Sequence, residues 1–175
     1  GLGRNYGIDL TVEKYLSRGY YFLFTTSLFN AEYKGGDGIW RNSRYNRNYL
    51  FNALAGKEWP TGKFKQNLYS INVRCSYQGG DRHSPVDQAA TLVTANVVYD
   101  ESKAFRDQYP AAFVAHFTTS YRINRKHTGH EIALKVINAT MFSEYFGYEY
   151  NYIKKTIDVR REAIFIPNLS YKIEF

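Results

Sequence analysis

Two histidines flank one short predicted turn and raise the question of a metal site. The segment reads His127-Thr128-Gly129-His130-Glu131. A zinc protease needs the order His-Glu-x-x-His on a helix, which places both imidazoles on one face. The order here is different, and the glycine lies between alternating segments that predict a hairpin turn. We therefore interpret both histidines as polar turn residues and predict no metal site.

His116 is a candidate catalytic base, because Thr118 and Ser120 share its face of a predicted strand. A nucleophilic hydroxyl needs a base that is itself oriented by a third group. No Gly-x-Ser-x-Gly motif occurs in the chain, and hydroxyl residues are common on the polar face of strands. We predict that the protein is not an enzyme.

Cation binding and thiol chemistry find little support in the remaining residues. Asp37, Asp81 and Asp87 lie in long predicted loops without the spacing of a calcium-binding loop, and we interpret them as solvated charges. Cys75 is the single cysteine, which excludes an intramolecular disulfide and a cysteine-rich zinc site. No cofactor is predicted.

Aromatic side chains in the predicted loops are stronger candidates for ligand contact. Planar rings stack on sugars and on other ligands with apolar faces. An aromatic belt at a membrane surface needs tyrosine and tryptophan at the same height, so both interpretations stay open. The loop aromatics are Trp40, Phe105, Tyr109, Tyr145, Phe146, Tyr148, Tyr150 and Tyr152. Those predicted as possible ligand contacts are Trp40, Tyr145, Phe146, Tyr148 and Tyr150.

Composition points to one domain that is rich in sheet. The 175 residues include 17 Tyr and 12 Phe, and aromatic residues favour half-buried, pleated surfaces. No stretch approaches the ~18 to 20 apolar residues of a transmembrane helix. The net charge of +7 comes from basic residues scattered through turns and loops, so we predict no nucleic-acid partner.

A period of two dominates the chain and predicts about seven antiparallel strands. Each is about ten residues or longer, whereas about five or six is typical of soluble sheets. The connections between them alternate between short and long. The predicted strands cover residues 6–16, 20–33, 45–58, 69–78, 112–124, 131–140 and 163–175.

Short turns at one end of long strands and long loops at the other are typical of an outer-membrane β-barrel. In such a barrel Ile71 and Tyr77 would face lipid, and Asn72 and Arg74 would face a wet lumen. A soluble antiparallel barrel or sandwich also alternates, but strand length and loop order favour the membrane barrel. The aromatics near strand ends suggest an interfacial girdle: Tyr20, Tyr21, Tyr33, Tyr45, Trp59, Tyr69, Tyr77, Tyr121 and Tyr171.

The odd strand count leaves two architectures open, because closed bacterial single-chain barrels have an even number of strands, at least eight. A hidden strand at about Thr91 to Tyr99 would complete a small eight-stranded barrel, which could act as an enzyme, adhesin or structural protein. Otherwise the chain is the C-terminal portion of a larger barrel. A soluble lipid-carrying barrel is a third, weaker option.

Ordered segments throughout the chain carry a resemblance to a known family. They resemble the late strands of TonB-dependent outer-membrane receptors, in the branch with a carboxypeptidase-like regulatory extension at the N-terminus. The segments are YGIDLTVEKYLSRGYYFLFTTSLFNAEYKGGDGIWRNSRYNRNYLFNALAGKEW, YQGGDRHSPVD, VVYDESKAFRDQYP, INRKHTGHEIALKVINAT, FGYEYNY and IPNLSYKIEF.

The resemblance implies an antiparallel, up-and-down transmembrane barrel of 22 strands, with residues 1–175 as roughly the last third and the plug domain outside this chain. It implies uptake of a scarce ligand (an iron chelate, a glycan or a peptide) across the outer membrane of a Gram-negative cell. The implied partners are outer-membrane lipid, the barrel-assembly machinery, TonB through the missing N-terminal part, a small nutrient ligand and a surface lipoprotein.

The final segment ends on an aromatic residue in phase with a perfect alternation. Leu169, Tyr171, Ile173 and Phe175 share one face, and the resemblance implies that Phe175 is a signal for barrel assembly. An ordinary strand that stops there by chance is the alternative. With a periplasmic terminus, residues 34–44, 79–110 and 142–162 become extracellular loops, and 17–19, 59–66 and 125–129 become periplasmic turns.

Overall fold

The fold is dominated by long antiparallel strands, as the period of two predicts. The computed structural model describes residues 1–175. It contains one α-helix, α1 (Gln88–Thr94), and one 3₁₀ turn, Glu101–Lys103. The strands are β1 (Leu2–Ser17), β2 (Tyr20–Lys34), β3 (Trp40–Asn42), β4 (Tyr49–Thr61), β5 (Asn67–Gln78), β6 (Arg82–His83), β7 (Asp107–Gln108), β8 (Ala112–Asn124), β9 (Gly129–Ile137), β10 (Ser143–Asn151), β11 (Thr156–Ala163) and β12 (Ile166–Glu174).

One eight-stranded antiparallel sheet holds all seven predicted strands, which confirms the all-β antiparallel class. Seven strands follow one another in the order β1-β2-β4-β5-β8-β9-β12, and the eighth, β3, pairs beside β2. The count therefore differs from the expected seven. The additional strand is only three residues long, too short to be visible as a period of two.

The sheet is open rather than closed into a barrel. β1 pairs only with β2, and β12 pairs only with β9. Both outer strands therefore present an edge of unpaired backbone groups.

The two-residue turn between β1 and β2 shows how local sequence sets the first hairpin. Arg18 has φ 55° and Gly19 has φ 78°, and positive φ at both central residues is the type I′ geometry that matches strand twist. Ser17 and Tyr20 pair across the turn. The strands consequently continue as one long ribbon from Leu2 to Lys34.

The suggested hidden strand at Thr91 to Tyr99 is wrong, because α1 occupies its first residues. Asp87 caps this helix by accepting a 3.0 Å hydrogen bond from the backbone N–H of Ala90. The Thr91 side chain is fully buried and accepts from the Val98 N–H at 2.9 Å. No helix in the protein has the length and hydrophobicity needed to span a membrane.

Other strand boundaries also differ from the predicted ones, at residues with left-handed backbone. β4 begins at Tyr49 rather than at residue 45, after Asn48 with φ 69°. β9 ends at Ile137 rather than at residue 140, before Asn138 with φ 53°. The region 142–162, expected as a loop, contains a hairpin in which β10 and β11 pair only with each other.

The pairing register places mostly apolar residues on one face of the sheet and most of its polar residues on the other, because residues directly opposite each other share a face. We call one face the apolar face. On it, the directly opposed residues of five successive strands are Val12, Phe24, Ala53, Cys75 and Ala115. We call the other face the polar face. On it, the directly opposed residues one position along are Glu13, Leu23, Leu54, Arg74 and His116.

No hydrophobic side chain of the chain is buried. The eight buried residues are polar residues or glycines. On the apolar face, Ile8 is 73% exposed, Leu134 38% and Leu169 74%. A chain of this length ordinarily buries a substantial apolar core, so the apolar face lacks the covering layer that water would require.

Two buried asparagines attach loops to the end of the sheet that carries the long connections. The Asn46 amide donates to Asn30 and to Asn42, at 2.7 Å each, and its oxygen accepts from the Ala31 N–H at 3.0 Å. The Asn138 amide donates to the carbonyls of Phe142 and Ile164, both at 2.9 Å. Asn138 thereby fixes both ends of the β10–β11 hairpin.

We expect Asn138→Ala to loosen that hairpin selectively, because the carbonyls of Phe142 and Ile164 lose their donor and each lost hydrogen bond costs about 0.5–1.5 kcal/mol. Hydrogen–deuterium exchange of the amides of residues 143–163 should speed up by about tenfold or more. Asn5→Ala, in the exposed strand β1, is the control and should change nothing there. Equal protection of the hairpin in both variants would contradict the assigned role.

Candidate functional site

A cavity with mostly apolar walls lies on the polar face at the end of the sheet that carries the long loops. Its volume is about 400 Å³. We call it the mouth cavity. It is lined by Arg47, Gln78, Gly79, Gly80, Asp81, Tyr109, Pro110, Ala112, Val114, Ile137, Asn138, Phe142, Glu144, Tyr145, Phe146, Glu162 and Ile164.

A stack of aromatic rings reaches this cavity through Tyr109 and Tyr145, which line it. The His83 ring lies 4.3 Å from the Tyr109 ring, and Tyr109 lies 5.2 Å from Tyr145, both nearly parallel. Tyr148 meets His83 edge to face at 5.3 Å. These separations are within the range of favourable aromatic pairs, so the stack holds two separate loops against each other.

Close backbone contact positions the loop that carries Tyr109. Gly80 is buried, and a Cβ there would collide with the carbonyl group of Tyr109, so only glycine permits this approach. The Gly80 carbonyl accepts from the Gln108 side chain at 3.0 Å. An ion pair of 2.6 Å between Arg47 and Asp81 fixes the same loop to the chain before β4.

Charge in the mouth cavity is predominantly negative. Glu144 and Glu162 are direct partners in the β10–β11 register and both line the cavity beside Asp81. Arg47 supplies the compensating positive charge on Asp81. Carboxylates beside aromatic rings offer hydrogen-bond acceptors next to a flat apolar surface, which suits a polar ligand with one apolar face.

Burial of the stack alters the acidity of its phenols. Burial, with smaller contributions from Tyr99 and Tyr148, raises the pKa of Tyr109 to about 12. Burial, followed by the charges of Asp107 and Tyr99, also raises the pKa of Tyr148. Both hydroxyls therefore remain protonated donors near neutral pH.

The structure brings together three of the five aromatics predicted as ligand contacts. Tyr145 and Phe146 line the mouth cavity, and Tyr148 packs against its wall. Trp40 lies elsewhere, under the guanidinium of Arg4 at 4.3 Å. Tyr150 packs against Tyr152 at 5.2 Å, away from the stack.

Of the other loop aromatics, Tyr109 forms the centre of the stack, and Phe105 packs edge-on against Tyr33 at 6.2 Å. His83 was not singled out in the sequence, because nothing local marks it. Its importance arises from contacts with residues that are distant in the chain.

The three candidate aspartates have separate structural roles. Asp37 pairs with Arg41 at 2.7 Å, and the hydrogen bond from Arg41 lowers the pKa of Asp37. Asp81 pairs with Arg47, and Asp87 caps α1. Nowhere in the chain do three or more His, Cys, Asp or Glu side chains gather in a way that could hold a metal ion.

The histidines and hydroxyls considered for chemistry are also dispersed. His130 bonds the Tyr171 hydroxyl at 2.7 Å and Thr128 at 3.1 Å. Ser120 bonds Ser70 at 2.7 Å rather than His116. Phe175 lies beyond β12 and is 96% exposed. Its role as an assembly signal stays a prediction.

Comparisons with known proteins found no match among protein-family models, curated proteins or solved structures. The functional argument therefore depends on the geometry of this chain.

The raised pKa of Tyr109 gives a direct test of the stack. Its neutral form is favoured in the folded state, so this contribution to stability is complete below about pH 10 and is lost as the pH rises towards about 12. In ¹³Cζ-tyrosine NMR, Tyr109→Phe should remove a resonance that titrates near pH 12. Tyr152→Phe, at a more exposed ring, should leave that resonance in place. Finding no late-titrating resonance at all would contradict the stacked, buried arrangement.

Proposed function

We propose that this chain is the C-terminal barrel segment of a TonB-dependent outer-membrane receptor that imports a scarce nutrient. The observation that carries the proposal is the uncovered apolar face, in register across the seven long strands, opposite a polar face. A bilayer on one side and a wet lumen on the other would suit this pattern. In water the same surface would be an aggregation hazard.

Aromatic residues on the apolar face support a membrane of ordinary thickness. One transverse row contains Trp59, Tyr69 and Tyr121, and a second contains Phe51, Tyr77 and Phe113. On β5 the rows are separated by residues 70–76, about 26 Å along the strand at ~3.3 Å per residue. At a tilt of ~40° this gives about 20 Å, close to the ~25 Å apolar band of outer-membrane barrels.

Not every aromatic expected in the girdle belongs to these rows. Tyr21 and Tyr33 lie on the polar face by register, because each is one residue out of phase with the apolar line. Tyr21 donates a hydrogen bond to Asn72 there. Tyr45 lies in the loop before β4.

The free edges of β1 and β12 favour a larger barrel over a complete eight-stranded one. Hydrocarbon cannot satisfy unpaired backbone N–H and C=O groups, so both edges would need further strands in a bilayer. The stretch considered for an eighth crossing begins as helix α1, and β3 is too short to cross. A 22-stranded receptor barrel would supply strands at both edges.

The position of the mouth cavity supports a receptor function. The loops at 79–110 and 142–162 fold over the polar face, so their cavity opens where a lumen would begin. The proposed ligand is a scarce nutrient with an apolar face, an iron chelate, a glycan or a peptide. Import would use energy relayed by TonB through parts of the receptor outside this chain, with no covalent chemistry.

Growth of the native cell on a panel of ferric chelates, glycans and peptides tests the proposal. Deleting the gene should abolish growth on one member of the panel, and deleting TonB should abolish growth on the same one. Replacing residues 144–162 by a short Gly-Ser linker should also abolish it, because that hairpin forms one side of the mouth cavity. The sheet should remain intact, since β10 and β11 pair only with each other.

Arg125→Ala/Lys126→Ala, in a turn at the opposite end of the strands, is the control and should grow normally. Growth that requires this protein but is unaffected by loss of TonB would overturn the proposal and favour an adhesin, enzyme or structural role.

A further inference from the structure

A second cavity on the polar face is lined by basic residues without any carboxylate. It has a volume of about 270 Å³, and its polar lining consists of Asn72, Arg74, His116, Thr118 and Lys135. We call it the basic groove. It lies deeper along the strands than the mouth cavity, and Ile137 lines both.

The strand register concentrates positive charge in this groove. Arg74 on β5 lies directly opposite His116 on β8, and Lys135 on β9 lies directly opposite Thr118. Neighbouring strands are about 4.8 Å apart, so Arg74 and Lys135, on strands separated only by β8, line the same cavity beside the His116 ring. The two positive charges that line this cavity repel each other, and an anion between them would offset that repulsion.

Other basic residues on the polar face have acidic partners, whereas Arg74 and Lys135 in the basic groove do not. Arg122 pairs with Glu174 at 2.5 Å, and Lys172 pairs with the same carboxylate at 2.5 Å. Arg74 and Lys135 take part in none of the ion pairs or side-chain hydrogen bonds of the chain. The groove is therefore a local excess of positive charge.

The neutral side chains of the groove also present donors. The Asn72 oxygen accepts from the Tyr21 hydroxyl, which leaves the amide N–H groups of Asn72 for another partner. The His116 Nδ1 atom accepts from the Asn138 N–H at 3.4 Å, so in the neutral ring the hydrogen is on Nε2. Every polar group that remains available is thus able to donate to an acceptor-rich ligand.

We propose that the basic groove binds a phosphate group, either as the free ion or as part of a phosphorylated small molecule. A phosphate offers several acceptor oxygens in a tetrahedral arrangement, which suits donors converging from three strands. The Arg74 guanidinium supplies a fork of N–H donors, and the Lys135 ammonium supplies a point charge. This binding goes beyond the proposed receptor function and does not depend on transport.

Isothermal titration calorimetry of the intact protein in detergent, with inorganic phosphate and with glycerol 2-phosphate, tests the proposal. Both probes should bind the native protein. Arg74→Gln/Lys135→Gln should weaken binding by about a hundredfold, since each lost charge-assisted hydrogen bond corresponds to about a tenfold change or more. Tighter binding of the ester than of the ion would identify a phosphorylated molecule as the ligand, and the reverse would identify the free ion.

Arg125→Gln/Lys126→Gln removes the same charge from a distant turn and should bind as the native protein does. Thr118→Val, which removes one donor with little change in shape, is the second test and should weaken binding several-fold even if the double variant fails to fold. Absence of binding to the native protein would overturn the proposal. Equal affinity in the native protein, the groove double variant and Thr118→Val would also overturn it, because the bound anion would then be adventitious only.

Discussion

An apolar sheet face without a covering layer is the constraint on which the other features of this protein depend. Apolar burial contributes roughly 25 cal/mol per Å², yet no hydrophobic side chain here is buried within the chain. The stabilisation that a soluble domain gains from its core must come from the surroundings. In the proposed receptor barrel a bilayer would supply it, provided that every backbone group in the hydrocarbon is paired. Long ladders from β1 to β12 pair most of the strand backbone, and the two outer edges remain unpaired.

The same constraint explains where most polar interactions are located. With one face committed to apolar contacts, hydrogen bonds and charges concentrate on the polar face and in the loops that fold over it. Asn46 and Asn138 hold those loops through buried side-chain hydrogen bonds, and the stack around Tyr109 gives them a fixed shape. The mouth cavity and the basic groove are adjacent on this face, one acidic and aromatic, the other basic.

The strands were predictable from the sequence because a half-buried strand repeats every two residues, and Tyr69 to Gln78 shows that repeat without interruption. Helix α1 was not predictable in this way, because Thr91, Leu92 and Val93 also suit a strand. The cap at Asp87 favours the helix over the strand. The aromatic stack was predictable only in part. Tyr145 and Tyr148 belong to a conspicuous run, whereas His83 joins them through contacts across the fold. The basic groove requires the pairing of Arg74 with His116, which alternation alone does not specify.

The central claim, that one face of the sheet contacts lipid and the other contacts water, is tested most directly by accessibility along β5. Single cysteines at residues 69–78, in a Cys75→Ser background except at position 75 itself, would carry a nitroxide spin label in the intact protein reconstituted into bilayers. Collisions with oxygen, which partitions into lipid, and with a water-soluble nickel chelate would be measured at each position. We predict a period of two, with oxygen favoured at Ile71, Val73 and Cys75 and nickel favoured at Asn72 and Arg74. Accessibility without that alternation, or with nickel favoured on both faces, would contradict the account.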